Sequence, residues 1–439
     1  MTTVTTRFAS LVLPLFAAAV LSGCAAVADP CAIVLNGAAG EPAADSGGAP
    51  EISRLRAQAR AAANPLPYLE RLGWTWIARE AIDHDHADFE RALATAACME
   101  KRAPGNPDAR LLRAHALVSM HRFREGEAVA RALVAESPSW LASAVLGDAL
   151  LEQGRIEEAA VQYQRMADEN PGSQALSRAA HLRWLLGDRD GAIEAMAGAA
   201  AAGDRRDARA AAWYRARLAH YALEAGRRDD ARLWIDAALA IVPDHPPALH
   251  ARGLLLLDQG RPQEAVEALR AAVAADPLPE YLWALHESLV EAGRADEARS
   301  VEARLVGEGE REDPRGVALY LASRGMEPRR ALRLAREELA VRQDVVTLDA
   351  VAVALMADGR IAEARDYSRR ALAYGTRAPR LALHAAAIAA AAGDAAEAAT
   401  RADEAAAMAG ALLPSERRLL ETLRATLTAD SNPPAPRAS

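Results

Sequence analysis

Short polar phrases interrupt this apolar, alanine-rich chain at nearly regular intervals. Each phrase has the form Gly-Arg-x-x-Glu-Ala or a variant of it, and apolar segments of helical length lie on either side. The phrases begin at the following positions: His121, Gly154, Gly187, Gly226, Gly260, Gly293, Gly325, Gly359 and Gly393. Successive starts are 33, 33, 39, 34, 33, 32, 34 and 34 residues apart. This spacing predicts an array of one repeated supersecondary unit.

The phrase has the features of a junction between two helices. Its glycine predicts a left-handed residue that ends one helix, and its acidic residues favour the positive end of the next. The alanine five residues after the glycine predicts a close helix crossing, where a larger side chain would overpack. In four units a proline seventeen residues after the phrase start is expected to end the second helix: Pro138, Pro171, Pro243 and Pro277. Since aromatic residues make up only 4% of the chain and alanine is abundant, we predict an all-α fold.

This pattern resembles the tetratricopeptide repeat, and the resemblance runs from about residue 73 to residue 410. Residues 140–172 show it best, at the family's Leu-Gly, Ala, aromatic and Pro positions. The matching residues are Leu146, Gly147, Ala159, Tyr163 and Pro171. The resemblance implies a right-handed α-α superhelix of about nine to ten helix-turn-helix units over residues 51–411, clearest from residue 107. The units at 73–106 and 312–344 are the least regular.

Residues 412–428, opened by Pro414-Ser415-Glu416, predict an amphipathic capping helix. Residues 429–439 are expected to form a disordered tail.

The first 23 residues have the pattern of a signal peptide. A positive Arg7 precedes an apolar stretch, residues 8–20, which is too short to span a bilayer comfortably. Leu21-Ser22-Gly23-Cys24 follows and resembles the bacterial lipobox. That resemblance implies diacylglycerol on the Cys24 thiol, cleavage just before it, and a lipid anchor in the cell envelope. In that family, Asp at the next position is the inner-membrane retention signal of enteric-type bacteria. Ala25 stands there instead, so the resemblance implies the outer membrane, facing the periplasm, in an organism that has one.

Residues 24–50 are rich in Ala, Gly and Pro and predict a flexible tether. Outside the cytoplasm, where disulfides persist, Cys31 and Cys98 could join the base of this tether to the first repeat. A free Cys31 with a buried Cys98 is the alternative that the sequence leaves open.

In the family, the first helix of each unit lines a concave groove that grips a partner's peptide or helix. The residues that map to this face are His115, His181, Trp184, Trp213, His220, His250, Trp283 and Tyr320. Aromatic rings at such a face are typical of binding hot spots. The alternative is that some of them fill the seams between repeats as core.

Charge and motifs exclude other classes of function. The net charge of −8 gives no basic surface for nucleic acid. No phosphate loop, zinc-protease motif or catalytic triad signature appears, so we predict no enzyme, no catalytic residue, no metal and no cofactor. The phrase Asp83-His84-Asp85-His86 invites a metal site, but residues two apart point to different sides of a helix. An exposed turn between the helices of the first unit is the favoured interpretation.

The sequence therefore predicts a lipid-anchored scaffold or adaptor that binds a protein partner in its groove. An assembly or chaperone-like maturation factor for an envelope or secreted complex would use the same surface, and the sequence does not separate the two. A metal-binding protein centred on His84 and His86 is the minor alternative.

Overall fold

The computed structural model describes residues 29–37, 49–83, 85–203 and 207–431, and within these ranges every regular element is a helix. Helices α1 (Pro30–Asn36) and α2 (Ala49–Ala61) precede ten consecutive helical hairpins, and α23 (Pro414–Ser431) follows them. The hairpins are α3 (Leu66–Asp83) with α4 (Ala87–Arg102), α5 (Pro107–Ser119) with α6 (Phe123–Glu136), α7 (Trp140–Glu152) with α8 (Ile156–Glu169), α9 (Ser173–Leu185) with α10 (Arg189–Ala202), α11 (Ala208–Glu224) with α12 (Arg228–Ile241), α13 (Pro246–Asp258) with α14 (Pro262–Ala275), α15 (Pro279–Glu291) with α16 (Ala295–Glu312), α17 (Pro314–Ser323) with α18 (Pro328–Val341), α19 (Val345–Ala357) with α20 (Ile361–Ala371), and α21 (Pro379–Ala391) with α22 (Ala395–Ala406). The predicted all-α repeat fold is confirmed.

The residue that opens each repeated phrase lies in the left-handed region, as the phrase predicts. The φ angle is 74° at Gly154 and 79° at Gly359, and even the non-glycine His121 adopts 58°. After Gly154 the Arg155 amide donates to the Leu150 carbonyl at 3.0 Å, which closes the end of α7. The turn therefore requires this conformation whatever residue occupies it.

The arginine of the phrase has a partner that the sequence pattern did not reveal. The Nε and Nη2 atoms of Arg155 each donate to a carboxylate oxygen of Glu158 at 2.6 Å, so a guanidinium fork spans the first turn of α8. The same fork recurs in four other hairpins: Arg122–Glu125, Arg261–Glu264, Arg294–Glu297 and Arg360–Glu363. Because these pairs are exposed to solvent, each contributes little to the stability of the fold, and the glycine turn remains the main determinant.

The alanine of the phrase is buried where two helices cross. Ala159, Ala231, Ala265 and Ala364 are fully buried, and Ala298 is 2% exposed. The four prolines each lie two residues beyond a helix end, after α6, α8, α12 and α14. Both features agree with the sequence interpretation.

The N-terminal segment differs from the flexible tether predicted at residues 24–50. Within it, α1 forms a helix that packs against α4, and a disulfide joins Cys31 to Cys98 with an S–S distance of 2.04 Å. The Lys101 ammonium lies 3.0 Å from the Asp29 carboxylate, beside the start of α1. The interpretation as a flexible tether is therefore wrong for α1, because burial and a covalent bond hold this helix. Cys24 and its lipobox lie outside the described residues.

The boundaries of the array also shift. The first hairpin begins at Leu66, after the separate helix α2, rather than at residue 51. At the other end, α23 runs to Ser431, so it is longer than the capping helix predicted at 412–428 and takes in the start of the predicted tail at 429–439. Residues 432–439 lie outside the described residues.

The solenoid closes on itself. The segments that precede α19 and α21 contact the ends of α7 and α9, which lie about six hairpins earlier in the chain. The Gln343 amide donates to the Glu152 carbonyl at 2.8 Å, and the Thr376 hydroxyl donates to the Leu185 carbonyl at 2.5 Å. Near the C-terminus, the Ser415 hydroxyl donates to the Glu287 carboxylate at 2.7 Å. The second turn of the superhelix therefore covers part of the inner surface of the first.

Candidate partner-binding cleft

An open cleft remains on the inner surface, between the first helices of three successive hairpins. It has a volume of about 610 Å³ and is bordered by α7, α9 and α11. Helical spacing of four residues places Asp148 and Glu152 on one wall and Trp213 and Arg217 on the other, with Arg178 of α9 between them. The cleft is therefore built from the helix faces that the repeat pattern assigns to the interior of the superhelix.

An ion pair between Arg178 and Asp148 lies at the base of this cleft. The Nε and Nη2 atoms of Arg178 donate to the two carboxylate oxygens of Asp148 at 2.8 and 2.6 Å, and the Tyr163 hydroxyl donates to the same carboxylate at 2.9 Å. Burial alone would lower the pKa of Arg178, but its pairing with Asp148 raises it. The charge of Arg178 is thus already neutralised within the chain.

Glu152 is a second acidic group of the cleft. Burial, together with the nearby Asp344 carboxylate, raises its pKa to about 7, against the opposing effect of Arg342 and Arg315. Near neutral pH the Glu152 carboxyl is therefore about half protonated. The negative charge of the cleft decreases as the pH falls through this range.

Behind the cleft lies a smaller chamber of about 320 Å³, closed on its far side by the starts of α17, α19 and α21. His181 and Arg217 border both spaces. Burial lowers the pKa of His181 and of His250 to about 4, so both imidazoles are neutral at pH 7. Burial alone would raise the pKa of Glu224, but hydrogen bonds from His220 and Trp184 lower it.

Four of the eight predicted groove residues are buried and serve packing: Trp184, His250, Trp283 and Tyr320. Three of them have well-defined partners within the chain. The Trp184 Nε1 atom donates to Glu224 at 2.6 Å, and the Tyr320 hydroxyl donates to Glu302 at 2.6 Å. The Trp283 ring meets Tyr320 edge-on, with the ring centroids 5.3 Å apart. These four side chains fill the seams between repeats, so they leave little surface for a partner.

The other four predicted groove residues have different contacts and different exposure. His115 is half-buried against Trp74, with ring centroids 5.2 Å apart, and His220 lies 3.5 Å from the Glu224 carboxylate. His181 is half-buried and stacks on Trp184 at 5.7 Å. Trp213 alone of the eight is more than a third exposed, at 43%, and it borders the open cleft.

Sequence reasoning missed the arginines that accompany Trp213. Arg178 and Arg217 border the same cleft, and Arg217 lies one helical turn beyond Trp213 on α11. That four-residue spacing was visible in the sequence. The exposure of Trp213 and the pairing of Arg178 were not, because both depend on neighbouring hairpins.

The phrase at residues 83–86 lies between two helices, since α3 ends at Asp83 and α4 begins at Ala87. The His86 side chain is exposed and lies 3.2 Å from both Glu80 and Glu312. His84 lies outside the described residues. Within the ranges that the structure describes, no group of three or more His, Cys, Asp or Glu side chains converges as a metal site would require.

Comparison with known proteins agrees with this architecture. The family model for the tetratricopeptide repeat matches residues 111–174 and 250–316. The family match therefore supports tetratricopeptide repeats in these two segments. One curated relative is cellulose synthase operon protein C of Xanthomonas axonopodis pv. citri (strain 306), which is 35% identical over 170 residues. That match covers 35% of this chain and only 11% of the relative.

Solved structures with a similar fold include the human IFIT1 dimer with PPP-AAAA, at 13% identity and a TM-score of 0.45, which covers 82% of this chain and 89% of that one. The Cut9–Hcn1 hetero-tetramer of APC/C shows 14% identity and a TM-score of 0.39, over 86% of this chain and 63% of that one. Yeast Tom70 shows 12% identity and a TM-score of 0.31, over 83% and 96%. These similarities concern the fold alone.

Among the helices of the described ranges, none is both long enough and apolar enough to cross a membrane.

Proposed function

We propose that this protein is a lipid-anchored scaffold of the bacterial cell envelope that binds a protein partner in the cleft between α7, α9 and α11. The observation that carries the proposal is the exposed Trp213 at the edge of a 610 Å³ cleft. A large ring with one polar atom offers contact area at a low cost in side-chain entropy, which is why tryptophan is enriched at binding hot spots.

The envelope location rests on two features. The lipobox at Leu21–Cys24 supports a lipid on Cys24. The disulfide between Cys31 and Cys98 supports a compartment outside the cytoplasm, because cytoplasmic reductants keep such thiols reduced.

Pull-down with the full chain tests the partner-binding part of the proposal. Trp213→Ala removes the exposed ring of the cleft, and Leu233→Ala removes an apolar side chain that is 61% exposed on α12, outside the cleft. We expect Trp213→Ala to weaken partner binding by about 30-fold or more, since hot-spot truncations cost about 2 kcal/mol or more, while Leu233→Ala leaves it unchanged. Equal capture by both variants and the wild type contradicts the proposed cleft.

Fractionation of cells tests the anchor separately. Cys24→Ser removes the thiol that would carry the lipid. We expect this variant to lose palmitate labelling and to leave the membrane fraction, with the helical circular dichroism of the protein unchanged. A Cys24→Ser protein that stays in the membrane fraction contradicts lipid anchoring.

A further inference from the structure

Helix α1 buries one face and exposes the other. Cys31 and Val34, three residues apart, lie on the inner face and are 8% and 4% exposed. Ala32, Ile33 and Asn36 lie on the opposite side of the helix and are exposed, Ile33 at 39%. The outward face of α1 therefore presents an aliphatic side chain to the surroundings of the protein.

Cationic side chains lie at both ends of α1. Near its start, a hydrogen bond from Lys101 and the nearby charge of Arg102 lower the pKa of the Asp29 carboxyl. Near its end, the Arg60 guanidinium donates to the Leu35 carbonyl at 2.7 Å. Lys101, Arg102 and Arg60 are all exposed. Positive charge thus flanks the outward face of α1.

The charge of this end of the molecule is opposite in sign to that of the chain. Asp29, helix α2 and the last turn of α4 together contain five cationic and three acidic residues, whereas the net charge of the whole chain is −8. An anionic surface therefore repels the molecule as a whole and attracts its α1 end.

The lipobox leads directly into this end. Residues 24–28 separate Cys24 from Asp29, so even a fully extended chain places the two Cα atoms no more than about 18 Å apart. The Cys31–Cys98 bond joins α1 to the first hairpin. A lipid on Cys24 therefore keeps the outward face of α1 close to the bilayer and raises its effective concentration there.

We propose that the outward face of α1 rests on the surface of an anionic bilayer, with Ile33 at the boundary between headgroups and acyl chains. Arg60, Lys101 and Arg102 attract the anionic headgroups around it. The proposal rests on the lipid anchor of the proposed function, because one aliphatic side chain and a few cations are too weak to hold a free protein on a membrane. Since the disulfide joins α1 to α4, this contact also fixes which side of the first hairpin faces the membrane.

Lys101 reports directly on this contact, because it is the one lysine of the chain and its side chain is 57% exposed. The full acylated chain is placed on the outer surface of vesicles made of equal parts phosphatidylcholine and phosphatidylglycerol. A water-soluble amine-reactive ester then labels it, and mass spectrometry follows the rate. Arg232→Lys, at a position of α12 that is 66% exposed, supplies a second amine in the fifth hairpin as an internal reference.

The comparison is with the Cys24→Ser chain, which has the same Lys101–Asp29 pair but no lipid. Relative to the reference amine, we expect labelling of Lys101 to be about 10-fold slower on the vesicles, as for a face that is docked about nine-tenths of the time. Equal relative rates in the two proteins overturn the inference and leave the anchor intact. A purified chain without acyl groups overturns the proposed anchor itself.

A second pair of variants distinguishes docking from mere proximity to the bilayer. Ile33→Gln removes the aliphatic contact, and Val161→Gln is the matched control, because Val161 is 51% exposed on α8 in the third hairpin. We expect Ile33→Gln, or vesicles of phosphatidylcholine alone, to restore most of the labelling of Lys101, and Val161→Gln to leave it slow. Circular dichroism verifies that both variants fold. Slow labelling that persists in folded Ile33→Gln and on the neutral vesicles shows crowding by the tether alone and overturns the inference.

Discussion

At the scale of single residues, glycine has two different roles in this chain. In the turns it supplies a left-handed backbone, but within the first helices it supplies space. A Cβ at Gly253 in α13 would lie 2.4 Å from the side chain of Leu269 in α14, closer than real contacts allow. The second role is a packing requirement, and it explains why a helix-breaking residue occurs in a helix interior.

Two variants, Gly253→Ala and Gly307→Ala, distinguish the packing role of glycine in a helix from its low helix propensity. A Cβ at Gly307, within α16, meets no atom within 4 Å. We expect Gly253→Ala to lower the free energy of unfolding by about 1–3 kcal/mol through overpacking, and Gly307→Ala to raise it by about 0.5–1 kcal/mol. Chemical denaturation of the two variants measures both changes. A stabilising Gly253→Ala would show that Leu269 moves aside without cost.

Buried histidines give the stability of the fold a dependence on pH. Burial lowers the pKa of His250 to about 4 in the folded chain, whereas an unfolded histidine titrates near 6.5. As the pH falls below about 6.5, the unfolded chain binds a proton that the folded chain does not, so stability is lost between about pH 6.5 and 4.

His250→Asn tests this dependence. Between pH 7 and pH 4.5 we expect the wild type to lose more free energy of unfolding than the variant, by up to about 3 kcal/mol. Denaturation curves at the two pH values give the difference, from which any pH-independent effect of the substitution cancels. Parallel losses in the two proteins would contradict the assignment of His250 as a neutral, buried imidazole.

At the scale of elements, local sequence patterns account for the helices of the repeats, but they do not account for α1. Seven residues form too short a helix to be stable alone. Helix α1 is held by the Cys31–Cys98 bond, by burial of Val34, and by the Arg56 guanidinium, which donates to the Val34 carbonyl at 2.7 Å. If Cys24 carries a lipid, this docking brings the first hairpin within about seven residues of the membrane anchor, or roughly 25 Å of extended chain.

Removal of the disulfide should release α1. The bond closes a separation of 67 residues, and in the chain-entropy model its loss costs the surrounding fold up to about 4 kcal/mol. We expect Cys31→Ser with Cys98→Ser to lower the unfolding temperature and to speed hydrogen exchange in α1 and α4, with little change beyond the third hairpin. Unchanged exchange in α1 would mean that non-covalent packing alone holds it.

At the scale of the whole molecule, contact between successive turns of the superhelix decides how open the inner surface is. Gly187, at the turn between α9 and α10, lies against the segment that enters α21. A Cβ at Gly187 would lie 2.2 Å from the Gly375 carbonyl oxygen. A Cβ at Gly226, in the equivalent turn of the next hairpin, would meet no atom beyond its chain neighbours within 4 Å. The hairpin turn at Gly187 therefore takes part in the contact between successive turns of the superhelix, and the hairpin turn at Gly226 does not.

Two variants, Gly187→Ala and Gly226→Ala, test whether the contact at Gly187 holds successive turns of the superhelix together. Both residues have a positive φ, 79° and 72°, so each substitution carries a left-handed strain of about 1–2 kcal/mol. We expect only Gly187→Ala to separate the turns, which small-angle X-ray scattering would detect as a larger radius of gyration. Equal radii for both variants, at equal loss of stability, would show that closure tolerates displacement of residues 375–377.

The sequence by itself determined the helical hairpin, its length and its turn. A phrase of six residues contains the left-handed turn, the buried alanine and the acidic first turn, all of which depend on neighbours within a few positions. It also predicted the Cys31–Cys98 bond as one of two alternatives and Trp213 as one of eight candidate contacts. Tertiary structure decided the rest. Trp184, Trp283 and Tyr320 became core because the adjacent hairpins pack against them, and no pattern within one hairpin encodes that packing. The closure of the superhelix depends on small angles between repeats that accumulate along the chain. The cleft that remains, bordered by the exposed Trp213, is what that closure leaves uncovered.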